Sequence, residues 1–508
     1  MHPQPKGSKP GPIEPPYHGT SAIVTDPIVP EAQDLPKCDP SEQTLDEKEW
    51  TSPDEKKPRT APLNEDAERT AGSSPPSSAS SDASSELSAS DEDVYPEGGT
   101  KAWLVVLGSF SGMLASFGMM NSIGTFQAYL ATHQLSHLDE STIGWIFSIY
   151  TFLSFFCGIQ IGPLFDQYGP RYLVLAGNIL LIASMLLLGV CKEYYQFLIV
   201  FGILGGTGTS LIFTPAIASI GHFFKAKRGA AVGVAAAGGS IGGIIFPLML
   251  QSLFPKVGFG WATRVLGLIF ILLCGVAQLC IRSRLPPKPG GSVMPDFRIF
   301  KDIPFTLVTA GVFFMEWGLF IPITYLTSFA LSSNAVDSTF AYQLIAVLNA
   351  GSSVGRWAPG YVADRLGRFN CMVGALLMCF VTTLALWLPA TIMTPVGEYS
   401  TDGGAVKGLT IAFALLFGIA SGSNISLVPV CVGQLCKMEE YGRYYGTCYT
   451  VVSFGTLTGI PIAGSLLQAT EDRYWGVAIF TIATYALAVA SFLGARVLKA
   501  GWSMSIKF

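Results

Sequence analysis

From Ala102 onward, apolar residues run in stretches of twenty or more, punctuated by short clusters of Gly, Pro and charge. A helix crossing roughly 30 Å of hydrocarbon needs about 20 mostly apolar residues. Twelve stretches reach that length: 102–130, 141–165, 171–191, 195–220, 229–250 and 260–281, then 304–331, 338–362, 369–392, 407–434, 443–468 and 474–498. A longer polar stretch, Arg282–Ile303, separates the two sixes. The pattern predicts an all-α membrane protein with twelve transmembrane helices in two pseudo-symmetric six-helix halves. The expected division is an acidic tail over 1–100, an N-terminal half over 101–281, a linker over 282–303, and a C-terminal half with a short tail over 304–508.

Charge sharpens this picture. With the N-terminus in the cytoplasm, 17 Lys and Arg of the membrane region fall on the cytoplasmic side and 4 (Lys192, Lys256, Lys407 and Arg473) on the other. Loops rich in Lys and Arg stay inside, so both termini are expected there. Of the 508 residues, 50% are hydrophobic and only 13% charged, about half the globular norm of roughly 25%. So few charges cannot cover the surfaces of a soluble enzyme of this length. Residues 1–100 hold 8 Lys/Arg against 20 Asp/Glu and 16 of the 32 prolines. Such a segment cannot offset its chain entropy by burying apolar surface, and it is expected to stay unfolded. Its Ser/Asp/Glu run Ser84–Asp93 reads as a solvated leader or a phosphorylated regulatory stretch. No basic-then-apolar opening marks it as a cleaved signal. The ten cysteines include no C-x-x-C pair and read as small buried hydrophobes. His133 and His137 share a loop and read as solvated. No metal, cofactor or nucleic-acid partner is expected.

The two sixes repeat a motif. Gly162-Pro163-Leu164-Phe165-Asp166-Gln167-Tyr168-Gly169-Pro170-Arg171 follows the second helix, and Gly360-Tyr361-Val362-Ala363-Asp364-Arg365-Leu366-Gly367-Arg368 follows the eighth. Both read G-x-x-x-D-x-x-G with an Arg after. Gly permits a tight two-helix turn, and Asp can accept bonds from helix N-termini and the basic residue. Two occurrences at matching places argue for duplication. Twelve spans, a central loop and these paired turns resemble the major facilitator superfamily over about residues 97–500. The resemblance implies that the turns brace a cytoplasmic gate during alternating access, with Asp166, Arg171, Asp364, Arg365 and Arg368 as gating residues.

A narrower resemblance is to the monocarboxylate porter family, in particular its fungal branch. That family opens its first helix with an acidic-Gly-Gly segment before a Trp, and this chain has Glu97-Gly98-Gly99-Thr100-Lys101-Ala102-Trp103. The family's fifth helix opens with an aromatic pair, a basic cluster and spaced small residues, matched here by Phe223 to Gly238 with departures at Ala226 and Ala230. Four-residue spacing puts Gly229 and Gly233 on one face, and the eleventh helix echoes this with Gly442 and Gly446. Such faces serve either static packing or a sliding contact between halves. The glycine-rich run Gly202–Thr209 lacks a following Gly-Lys-Ser/Thr, which excludes a nucleotide loop.

Three ionisable residues lie at bilayer depth, where charge is costly and marks function. Arg264 follows Trp261 near an outer helix end and reads as an interfacial anchor. Arg356 lies about 12 Å deeper than Asp364 at 1.5 Å per residue. Its fork suits a carboxylate, and the family resemblance places a substrate-carboxylate contact in the eighth helix. The family's acidic partner would fall at Ser352, which is uncharged. A structural bond to a helix end or to Asp364 is the other reading. Glu316 lies near the bilayer middle and is either a proton carrier or a constant partner for Arg356. Aligned from Trp103, Asn121 stands where proton-coupled monocarboxylate carriers have a lysine, which puts lysine-dependent coupling in doubt. Asn121, Tyr325 and Asn349 complete the candidate substrate contacts.

The expected function is secondary transport of a small organic molecule, a carboxylate or a secondary metabolite, with a coupled proton as an open partner and the lipid bilayer as solvent. The expected membrane is the plasma membrane, with the vacuolar membrane as the alternative. A second reading is a sensor or receptor on a transporter scaffold, signalling through the acidic tail. The two separate on one test. Deleting residues 1–90 is expected to leave the initial transport rate per inserted molecule largely intact in vesicles. Abolished flux in a correctly inserted, tail-less protein would contradict the transporter reading of the tail.

Overall fold

Backbone N–H and C=O groups in hydrocarbon must be satisfied within the chain, which leaves helices or closed barrels. In the computed structural model, the structure describes residues 95–285, 297–333, 338–394, 403–471, 473–502 and 507. The acidic tail through residue 94, including Ser84–Asp93 and Cys38, and linker residues 286–296 lie outside the described residues. Among the described residues the elements are helices, with no strand.

In chain order the long helices are α1 (Gly99–Thr132), α2 (Thr142–Tyr168), α3 (Pro170–Leu188), α4 (Tyr194–Gly221), α5 (228–257), α6 (259–280), α7 (Ile303–Ser332), α8 (Ser338–Leu366), α9 (Arg368–Ile392), α10 (Gly403–Leu435), α11 (Tyr441–Ala469) and α12 (Trp475–Ala500). By length and composition alone there are ten candidate spans. Two facts reconcile ten with twelve. Helices α5 and α6 run on from one another, and Gly258, at φ 76°, is the turn between them. Helix α8 is long enough but carries Arg356, Asp364 and Arg365, and its polarity hides it from a hydropathy criterion.

Element boundaries differ from the sequence reading in two places. The fifth helix, which already contains Pro247, does not stop near residue 250 but continues through Pro255. Proline is tolerated inside membrane helices, where neighbours and local adjustments satisfy the freed carbonyl. The first helix is interrupted at Asn121–Ser122, so Asn121 caps its long inner segment instead of lying within it.

Lipid-facing and packed faces separate clearly. Leu272, Leu279, Ile179 and Leu268 are among the large apolar side chains left exposed. So many exposed apolar residues would be an aggregation hazard in water, and they suit a bilayer. The packed faces are built on small residues. Helix α5 lies against α8 and helix α11 against α2, each pair joining the first six helices to the second six. A methyl group at Gly158 would stand 3.3 Å from the Gly446 carbonyl oxygen, and one at Gly442 2.7 Å from the Gly162 oxygen. The α5–α8 pair has the same construction: a methyl at Gly233 would stand 3.2 Å from the Trp357 Cα. Glycine is required here because backbone meets backbone.

These seams predict a graded response to the smallest possible substitution. A Cβ at Gly374 meets nothing within 4 Å, whereas one at Gly442 meets backbone and the Asp166 carboxylate. Gly442→Ala is expected to cost about 1–3 kcal/mol through overpacking, and Gly374→Ala to be nearly neutral. Thermal unfolding of the purified protein in lipid nanodiscs reads the difference. Equal melting temperatures for the two variants would contradict the close seam.

Candidate functional site

Two carboxylates dominate the basic end of the bundle. The first turns of α11 and α5 leave backbone N–H groups without intrahelical acceptors and carry partial positive charge. Asp166, at the end of α2, accepts both Gly442 N–H (3.0 Å) and Arg443 N–H (2.8 Å) at the start of α11. Asp364, at the end of α8, accepts both Gly229 N–H (2.9 Å) and Ala230 N–H (2.9 Å) at the start of α5. Each acid therefore caps a helix of the opposite six, and the two caps are related by the internal repeat. Charge-assisted bonds of this kind contribute about 1.5–3 kcal/mol each.

The basic residues of the two turns separate in role. Arg368 reaches across to donate to the Lys225 carbonyl, so it joins the α5 cap. Arg365 stays exposed, donates to the Tyr361 hydroxyl and stacks on that ring, 4.4 Å from its centroid. Arg171 is exposed, and its carbonyl accepts Gln278 Nε2 on α6. The structure thus brings Asp166, Asp364 and Arg368 into the inter-half contact but not Arg171 or Arg365: Arg365, in the last turn of α8, and Arg171, in the first turn of α3, are both exposed.

A residue that the sequence reading placed on the cytoplasmic side, in the basic cluster that opens the fifth helix, is buried here. Arg228, the first residue of α5, is 2% exposed and lies 4.3 Å over the Tyr441 ring. Gly433, near the C-terminal end of α10, gives it room: a Cβ there would stand 2.5 Å from the Arg228 Cζ. A cation is favoured at that helix end by the dipole. Position in a basic run gave no signal for this. The neighbouring glycine and tyrosine are 205 and 213 residues away in sequence. His222, just past α4, is pushed down to about 3 by burial and by Arg228 and Arg284, so it stays neutral at physiological pH.

Deeper in the bundle, Arg356 is fully enclosed. Its Nη1 donates to the Ala236 carbonyl of α5 (2.6 Å). Among the described residues no other nitrogen of this guanidinium donates a hydrogen bond, and Nε is buried without a partner. Glu316 on α7 is also buried. Its charge acts on Arg356, but the two make no direct ion pair. Nor does Arg356 bond Asp364, which is occupied at the α5 cap. Arg356 and Asp364 are eight residues apart, and the residue eight before Asp166 is Gly158. The repeat thus has glycine on one seam and a guanidinium on the other.

Other candidates gather along the glycine face of α5. A Cβ at Gly239 would stand 2.6 Å from Arg356 Nη1. One turn on, a Cβ at Gly243 would stand 3.0 Å from both Asn121 Nδ2 and Asn349 Oδ1. Asn121 donates to the Gly239 carbonyl (3.1 Å) and Asn349 to the Ile345 carbonyl (3.1 Å). Ser352 accepts a bond from Ser240 (3.0 Å) and so links α8 to α5. Tyr325 stands apart from this column: its hydroxyl donates to the Ile460 carbonyl of α11 (3.3 Å). An aromatic wall adjoins Arg356. Phe117 lies 4.7 Å from Phe213 and 6.1 Å from Phe155, and Tyr449 lies 5.2 Å from Phe155 and 5.6 Å from Phe213, ring centre to ring centre. Tyr449 lies within electrostatic reach of Arg356 and Glu316. These rings were not singled out from the sequence, since Phe is common throughout an apolar chain.

Comparison with known proteins places this geometry. Residues 108–403 match the Major Facilitator Superfamily family model. The chain is 36% identical over 420 residues to the MFS transporter asaE of Aspergillus flavus, covering 82% of this chain and 91% of that one. It is 35% identical over 427 residues to the riboflavin transporter MCH5 of Saccharomyces cerevisiae, covering 79% of each. It is 34% identical over 436 residues to the fujikurins efflux protein of Gibberella fujikuroi, covering 85% and 90% respectively.

The paired caps make a prediction that needs no substrate. Asp364→Ala removes the acceptor of two amides. Hydrogen exchange at Gly229 and Ala230 is expected to rise about tenfold or more, from loss of about 1–3 kcal/mol, while Gly442 and Arg443 stay protected. Asp166→Ala should show the reverse. Exchange that rises at neither cap, or at both in each variant, would contradict two separate caps.

Proposed function

The chain belongs to the major facilitator superfamily of membrane transporters, and we propose that it exports a small organic acid with conjugated rings, a secondary metabolite, by alternating access. The observation that carries this reading is Arg356. A guanidinium has five N–H donors in a fixed fork, and here, among the described residues, one nitrogen donates and Nε is orphaned in a buried place. A carboxylate or enolate would satisfy the fork. The rings of Phe117, Phe155, Phe213 and Tyr449 give a flat ligand a stacking surface. Asn121 and Asn349 offer neutral polar contacts one turn away, and Tyr325 would be reached only by a longer molecule. Export accords with the name of the fujikurins efflux protein.

Within this reading the chain is a member of the fungal monocarboxylate porter branch. Residues 101–281 and 304–508 are the two moving halves, and the linker and both termini face the cytoplasm, as the Lys and Arg distribution favours. Asp166, Asp364 and Arg368 hold that side closed, and the seams of Gly158, Gly162, Gly229 and Gly233 let the halves part and rejoin. The plasma membrane is the site of action. Glu316 carries a coupled proton near the substrate group, a role supported by its burial beside an arginine that it does not pair with.

Metabolites inside and outside cells with and without the protein test the substrate class. An acidic conjugated compound retained inside deleted cells supports the proposal, and indistinguishable profiles oppose it. With that compound in hand, Arg356→Lys keeps charge but loses the fork. Affinity is expected to fall roughly 10-fold or more, from loss of one charged bond of about 1.5–3 kcal/mol. Glu316→Gln is expected to flatten the pH dependence of net flux while sparing exchange. Unchanged affinity in the first and an unchanged pH profile in the second would move the site to Asn121 and Asn349.

A further inference from the structure

The start of α5 is held from a third direction. Glu97 lies just before α1, and its Oε1 accepts Lys225 N–H (2.7 Å) and Ala226 N–H (2.5 Å) while Oε2 accepts Lys227 N–H (3.0 Å). Its own N–H donates to the Phe223 carbonyl (3.1 Å). The chain adopts a left-handed conformation to do this: φ is 47° at Glu97, then 157° at Gly98 and 83° at Gly99. A non-glycine residue in that region costs about 1–2 kcal/mol, which the four hydrogen bonds offset. The neighbours reinforce the contact. Trp103 packs edge-on against Phe224 (5.6 Å), and the Tyr95 ring faces both Lys225 (5.5 Å) and Arg284 (5.3 Å). The acidic-Gly-Gly-Trp segment and the aromatic-basic segment, 128 residues apart in sequence, are therefore one contact.

The same short turn carries the inter-half cap. Arg368 of the second half donates to the Lys225 carbonyl, and Asp364 accepts the Gly229 and Ala230 N–H groups. Amides 225, 226, 227, 229 and 230 are thus divided between two carboxylates, one from the lead-in to α1 and one from the second half. Glu97 sets the path of the turn and Asp364 reads where that path delivers α5. Like charges at this distance oppose one another, and the cations Arg368 and Arg228 lie beside them.

We propose that Glu97 is a positioning residue for the gate: it fixes the 223–227 turn so that Asp364 and Arg368 can engage it, and its release loosens the closed basic end. This rests on the reading of the Asp364 cap as part of the gate. The lead-in from Tyr95 to Trp103 is then the point at which a pull on the N-terminal segment would reach the transport cycle.

The test uses full-length protein in lipid nanodiscs and hydrogen exchange, with no ligand. In Glu97→Gln, exchange is expected to rise several-fold at 225–227 and also at Gly229 and Ala230, which Glu97 does not touch. Gly442 and Arg443 should stay protected. Combining Glu97→Gln with Asp364→Asn should add little at Gly229 and Ala230 beyond Asp364→Asn alone, because both act on one cap. If Glu97→Gln does not insert, Glu97→Asp, which shortens the reach but keeps the charge, is read the same way. A rise confined to 225–227, or full additivity in the double variant, overturns the proposal and leaves Glu97 a local cap. The gate reading fails separately, if Asp364→Asn exposes Gly229 and Ala230 yet leaves the separation of the two halves at the basic end unchanged.

Discussion

A carboxylate placed against the exposed N–H groups of a helix start is strong because both partners are poorly solvated and the geometry is preset. Asp166 and Asp364 each make this contact with a helix from the opposite half. The bilayer gives little hydrophobic force to press apolar helices together. In the gate proposed here, closure of the basic end rests on these caps and on the glycine seams above them. Such caps suit a switch, since parting the ends would exchange a few hydrogen bonds for bonds to water.

The repeat explains why the contact comes twice, and its failure to repeat locates function. Gly158 meets Gly446 as backbone to backbone, while at the related position Arg356 sends a guanidinium into the seam and donates to Ala236. A costly charge persists at one of two equivalent places, within electrostatic reach of Glu316 and Tyr449. Packing does not require it, since glycine serves the other seam. Membership of the major facilitator superfamily is shown for this chain. The acid-binding role we propose for Arg356 is the step that links geometry to substrate.

Much of this was legible from local pattern. The twelve helices follow from apolar run length, the inter-half turns from G-x-x-x-D-x-x-G, and the depth of Arg356 and Glu316 from helical rise. What stayed hidden depends on contacts between distant segments. Arg228 reads as one cation in a basic run, and only the fold puts it over Tyr441 beside Gly433. Glu97 reads as the acidic residue of the segment that opens the first helix, and only the fold gives it three amides of the 225–227 turn. Arg171 and Arg365 share the motif with Arg368, yet only Arg368, the first residue of α9, reaches across to the opposite half. The continuation of α5 past residue 250 and through Pro255 was missed because proline breaks helices in water more readily than in a packed membrane bundle.

The central claim is that Asp166 and Asp364 together hold the basic end closed. Pulsed electron–electron distance measurement, with spin labels on the basic ends of α2 and α11 in nanodiscs, addresses it directly. The wild-type protein should show a dominant short distance. The Asp166→Asn, Asp364→Asn double variant should shift the distribution to longer distances there, with the opposite end drawing in. Distributions that are unchanged by removing both charges would contradict the account.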